Sequence, residues 1–417
     1  MRTCRRWCRR RLREVCDTAD YPRIFAHGIG TGRHTGGTMW MRRAALLATC
    51  PGIIALANGL LASGDWPLFR GNPHQTGVSS SRLPQKIALL WTYEARQPIR
   101  SSPVISGDTV YIGTDSGFLL ALNLADGRVK WKYDTGARRP VRAAPAAGQE
   151  KVYVGDDTGV FHAVNSLTGR RVWTFRTGQQ IVSAANASGT ALVFGSYDRF
   201  VYCLSPAGKL LWKAETEAQV HATPCVFPGG VAVAGCDGVL RVLCLATGAQ
   251  TAAIDVPGNV AASPVFADGK LFVVTFTGKI ACVDAGSMNT VWETSVSQDE
   301  SVPVASSPAV AGGRIVFGCR DGSLRCFDTA DGKPVWKFST RGDVDSSPVI
   351  CGERVFVGSA DGTVYEVDLS TGRRRWSFTA GAAVFSSAAV AQERLVIAAE
   401  DGAVYCFGDV SLRKKSQ

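Results

Sequence analysis

From residue 91 to residue 407, short apolar runs alternate with polar turns, and one order of runs returns about every 40 residues. Residues 346–378 show the unit most fully. Pro348 opens an apolar run over 348–350, and a second run follows over 354–358. Asp361-Gly362 then predicts a tight hairpin in which both turn positions take positive φ. A third run covers 363–368, Ser370-Thr371-Gly372 turns the chain, and a last strand over 374–378 carries Trp376 as a large packing face. The unit predicts one four-stranded antiparallel blade.

Two columns count the copies. The hairpin position reads Gly117, Gly159, Arg199, Gly238, Gly278, Gly322, Gly362 and Gly402. The tryptophan position reads Trp91, Trp131, Trp173, Trp212, Ala252, Trp292, Trp336 and Trp376. Both give eight, but out of phase: Trp91 precedes the first hairpin, and no Trp strand follows the last. The expected fold is therefore all-β, an eight-bladed propeller over 87–408 whose last blade is completed by the strand around Trp91. Such closure leaves no open sheet edge.

Charge changes the picture only at the N-terminus. The whole chain has a net charge of +11, but residues 1–64 hold +8 of it, so the rest is nearly neutral and nucleic acid is not an expected partner. Residues 1–40 are Arg-rich without an apolar period and read as a disordered leader or an untranslated stretch, with Met41 as the alternative start. Met41-Arg42-Arg43, the apolar run to Leu61 and Ala62-Ser63-Gly64 predict an export signal over 41–64, and thus a periplasmic or cell-surface protein. A membrane anchor and a lipidated Cys50 are the alternatives. Residues 65–86 predict a lead-in that packs across one propeller face, with a plug of the central channel as the sharper alternative; 409–417 form a tail.

The motif Tyr111-Ile112-Gly113-Thr114-Asp115-Ser116-Gly117, closed by Gly127 and Trp131, resembles the repeat of quinoprotein-like propellers, and Trp66-Pro67 with Phe69-Arg70-Gly71 resembles their lead-in. The resemblance spans about residues 65–408 and implies one of two branches: pyrroloquinoline quinone dehydrogenases, or non-catalytic propellers such as the outer-membrane assembly lipoprotein BamB. The enzyme branch implies a vicinal Cys-Cys pair, a calcium site of Glu, Asn and Asp, a catalytic Asp and long pocket-building insertions. No two cysteines are adjacent here and the loops are short. The expectation is a non-catalytic, monomeric scaffold for other proteins, with no cofactor; a quinone-dependent dehydrogenase and a small-ligand or glycan sensor are the alternatives.

Other chemistry is sparse. His74, His162 and His221 lie in separate repeats without metal-ligand spacing. Nine cysteines follow the signal; Cys203, Cys282, Cys326 and Cys406 share one strand position and read as small buried hydrophobes, and Cys319 with Cys326 is the least implausible pair. One column varies where structural columns repeat. The residue before each Ser-Ser-Pro-like start reads Arg100, Arg142, Ser183, His221, Ala261, Ala305, Asp345 and Phe385. These positions are expected around one mouth of the channel, with Arg100, Arg142 and His221 as a positive arc facing Asp345 that binds an acidic or extended partner segment.

Overall fold

The computed structural model describes residues 64–256, 258–297 and 301–411, all within one compact unit. The leader and nearly all of the 41–64 signal lie outside the described residues.

Eight four-stranded antiparallel sheets make eight blades. The first runs Val104–Ser106, Thr109–Gly113, Phe118–Asn123 and Val129–Asp134, and the seventh Val349–Cys351, Arg354–Gly358, Thr363–Asp368 and Arg374–Thr379. Blades two to seven follow in chain order, and the eighth combines three C-terminal strands with Ala88–Glu94, which pairs antiparallel with Ala403–Gly408. Inner strands are short and buried. Outer strands alternate exposed and half-buried positions, with Val129, Val172 and Leu211 open to solvent.

The hairpin geometry corrects one expectation. Gly362 takes φ 80°, but Asp361 is not in the left-handed region. The turn spans four residues, closed by Gly362 N–H donating to Ser359 O, and the Asp361 carboxylate accepts from the amides of Thr363 and Arg341. Aspartate is used here for its acceptor oxygens, and only glycine for its φ. Arg199 takes the glycine position of its blade at φ 71°.

Blades dock through the tryptophan column. Six of the seven indoles donate their N–H to a carbonyl of the next blade: Trp91 to Leu124, Trp131 to Ser166, Trp173 to Pro206, Trp212 to Leu245, Trp292 to Thr329 and Trp336 to Leu369. The ring lies on a turn glycine that has no room for a side chain; a Cβ on Gly372 would fall 2.8 Å from the Trp336 indole. Where the column lacks Trp, the facing glycine is also gone. Ala252 packs in one cluster with Met288, which occupies the glycine place at φ 57°, so a long flexible side chain fills the volume the indole would have taken.

The described cysteines are all free, so Cys319 and Cys326 form no disulfide. Burial pushes the Cys282 thiol up to about 11 and those of Cys203, Cys319, Cys326 and Cys406 up to about 12. They pack as hydrophobes and are poor nucleophiles. No helix among the described residues is long and apolar enough to cross a membrane.

Candidate functional site

The site is the central channel. Its wall is the inner strand of each blade, whose amides have no neighbouring strand on the channel side. The segment after Gly64 supplies acceptors as it runs around the ring. Trp66 exchanges two backbone hydrogen bonds with Ile105, and Pro67 O accepts from Ala147 N–H. Pro73, His74, Thr76 and Gly77 carbonyls then accept from Val226, Phe266, Val310 and Ile350, and Ser79 Oγ donates to Val390 O. Residues 66–79 of the lead-in thus run along the inner strands as a channel plug, where the strands offer this row of backbone donors.

Beyond the plug lies a mouth with a cavity of about 150 Å³. Phe69 of the plug forms part of its lining, and the second residue of each Ser-Ser-Pro-like start forms a ring: Ser102, Thr223, Ser263, Ser307, Ser347 and Ser387, with Ala144 and Ala184 completing it. The hydroxyl oxygens accept amide protons around the ring, Thr223 N–H to Ser263, Ser263 to Ser307, Ser307 to Ser347, Ser347 to Ser387 and Ser387 to Ser102. This run of hydrogen bonds, interrupted only where Ala144 and Ala184 stand, was not read from the sequence, although the repeated Ser-Ser-Pro motif carried its signal.

The varied column is only partly at this mouth. Arg142, His221, Ala261, Ala305, Asp345 and Phe385 line the cavity. Arg100 does not; its guanidinium pairs with Glu400 at 2.7 Å and Asp115 at 3.4 Å. Ser183 is a correction. Its Oγ donates to Ala222 O and accepts from Gly195 N–H, the blade-locking geometry of Ser306 and Ser346, and Val182 takes the lining position. The third blade has Ala185 where six of the others have proline, and without either that marker or a Ser-Ser pair the register slipped by one residue.

Nor do the charges make a positive arc. Arg142 Nη1 lies 3.2 Å from Asp157, and Arg320 grips Asp345 through two hydrogen bonds of 2.8 and 2.7 Å. His221 Nδ1 is 2.7 Å from Tyr197 OH. Burial, followed by the Arg320 charge, holds this imidazole below its ordinary value, so it is neutral at pH 7. Burial pushes the Asp157 carboxyl up to about 6 despite Arg142, and Asp115 adds like-charge repulsion. The partners Asp157, Tyr197, Arg320 and Glu400 all come from the hairpin between second and third strands, a column the sequence showed only as turn residues.

A family model described as outer membrane protein assembly factor BamB matches residues 84–201, 197–324 and 276–412, which together cover the whole propeller. The chain belongs to this family. Among solved structures, BamB from Moraxella catarrhalis is 18% identical, with TM-score 0.66 over 78% of this chain and 98% of that one. A europium-containing methanol dehydrogenase is 13% identical, with TM-score 0.71 over 83% and 98%. Identities this low show the fold alone. The beta-alanine-activating enzyme of Mus musculus is 37% identical over 106 residues, 24% of this chain, and the chain spans only 10% of that relative.

Because the fold is shared with quinone enzymes, the mouth can be tested for the group. The cavity falls short of the roughly 300 Å³ at which small-molecule sites begin. Among the described residues, no three His, Cys, Asp or Glu side chains are placed to hold a metal ion. The residues present do not fit a tricyclic quinone with a divalent cation.

Proposed function

We propose that this BamB-family propeller is a non-catalytic scaffold that holds a segment of another protein at the open mouth of its channel. The observation that carries this is the asymmetry of the channel. The plug occupies one part of it through backbone bonds to the inner strands, while the mouth presents side chains that differ from blade to blade. Repeats under structural demand alone largely keep their residue types, as the tryptophan column does at seven of its eight positions. Phe385 would anchor an apolar side chain, and Arg142 and Asp345, on different blades, would orient a polar segment; Arg100, Ser183 and His221 would act around them as a flanking charge, a wall support and a neutral hydrogen-bonding group. The family's name, outer membrane protein assembly factor, and the export signal expected over 41–64 support a partner in the cell envelope.

A photoreactive phenylalanine analogue at position 385, in the full chain expressed in cells, should give one defined protein adduct. The same label at the outer-strand position Leu211 should not. Equal labelling from both positions would sink the scaffold reading. Titration with pyrroloquinoline quinone and Ca²⁺ tests the enzyme alternative: a saturable absorbance change with a rise in melting temperature would establish it, and a flat response is expected.

A further inference from the structure

Beneath the hydroxyl ring the plug buries a cation with no acidic partner. Arg70 is 1% exposed. Its Nη2 donates to the carbonyls of Pro308 and Pro348, the residues directly after Ser307 and Ser347 of the ring. The donors on Nε and Nη1 have no protein acceptor. The guanidinium carbon lies 6.0 Å from the centre of the Phe69 ring, which lines the cavity. Gly77 is required by this placement, since a Cβ there would fall 1.9 Å from Arg70 Nη2. Burial pulls Arg70 down to about 9, and no carboxylate offsets it, yet the group stays charged at neutral pH. A desolvated charge of this kind is costly unless something compensates it.

The ring above has matching chemistry. Each hydroxyl oxygen already accepts one amide proton, and none of the six hydroxyls donates to a protein acceptor among the described residues. Because these side chains line the cavity, their O–H groups are free to turn inward. A ring of O–H donors over a buried guanidinium offers donors and positive potential from several directions at once. Asp345, the acidic group in the lining, is already held by Arg320.

We propose that the channel mouth is an oxyanion pocket, in which the Ser/Thr ring donates hydrogen bonds to a carboxylate or phosphate group and Arg70 supplies the charge behind it. The cavity of about 150 Å³ admits such a group and little more. The oxyanion is either a free small anion or an acidic group on an inserted peptide, and the two sources share this chemistry.

The test is a thermal-shift and calorimetric titration of the full chain at constant ionic strength. The probes are inorganic phosphate, acetate, and the peptide amides Gly-Gly-Asp and Gly-Gly-Asn, against a chloride control. Saturable stabilisation by phosphate or acetate would assign a free anion, and stabilisation by the Asp peptide but not the Asn peptide would assign an acidic segment. The paired substitution Ser347→Ala, Ser387→Ala should weaken binding by about tenfold or more, because hydrogen bonds to charged groups are the strong ones. It removes the acceptors of the Ser307 and Ser347 amides, a loss the ring already tolerates where Ala144 and Ala184 stand, so the unliganded melting temperature should fall only modestly. Arg70→Met should abolish binding, and if that variant does not fold, the serine pair decides. No saturation by any probe beyond chloride, or affinity unchanged in the serine pair, would overturn the proposal. The scaffold reading would survive that outcome, because cross-linking at position 385 tests it separately.

Discussion

At the residue scale, the mouth shows how burial and pairing compete for one carboxyl. Asp157 has Arg142 at 3.2 Å, yet it titrates near 6, because taking the carboxylate out of water costs more than one guanidinium returns. A raised acid favours its neutral form in the folded state. Its contribution to stability is therefore full below the ordinary carboxylate range and is lost as the pH rises through about 6. The variant Asp157→Asn cannot ionise. Its stability relative to the parent should increase between pH 4 and pH 7, by about 2 kcal/mol from a shift of this size. Denaturant midpoints measured across that range would check it, and a pH-independent difference would show that Asp157 is not the group responsible.

At the element scale, the blades are held by a lock of two parts, an indole on one outer strand and a bare glycine on the next blade's turn. The one junction that lacks both has Ala252 on the fourth blade and Met288 on the fifth in their places. Ala252→Trp alone drives the indole into Met288 and should cost about 2 kcal/mol. Adding Met288→Gly reopens the seat and removes a non-glycine residue from φ 57°, so the double variant should return to parental stability or exceed it. Urea unfolding of the four proteins of this cycle measures the coupling, and additive effects would contradict a paired lock. The rule that Trp and Gly travel together was present in the chain, but only the docked blades showed that the two columns touch.

For the whole molecule, the plug is the part that makes a ring into a one-mouthed vessel. Deleting residues 65–79 should leave the blades folded, with their β circular-dichroism signal, while the amides of Ile105, Ala147, Val226, Phe266, Val310 and Ile350 lose their acceptors. Hydrogen exchange at these positions should then speed up by well over tenfold, with hairpin amides such as Gly362 unchanged. Continued protection of the inner-strand amides would mean that the plug does not seal the channel. The deletion also takes Phe69 out of the mouth's lining and Arg70 from beneath it, while the hydroxyl ring, built by the blades themselves, should remain.

The repeat, its eight copies and the phase of the Trp strand were all readable along the chain, because a blade is a local object: alternating burial, turn glycines and hairpin aspartates act within about 40 residues. The strands of the seventh blade match their expected runs to within a residue for the same reason. What lay across the channel was not readable. Ser183 entered the wrong column when Ala185 replaced the proline that marks the register, and the positive arc dissolved because Arg142 pairs with Asp157 of the hairpin, Arg100 pairs with Glu400 at the far end of the chain, and burial keeps His221 neutral. Arg70 looked like part of a short lead-in. Only ring closure brings residues 69–70, the Ser-Ser-Pro starts of most blades and the varied column into one space, since each blade contributes a single residue to a layer that no local pattern can encode.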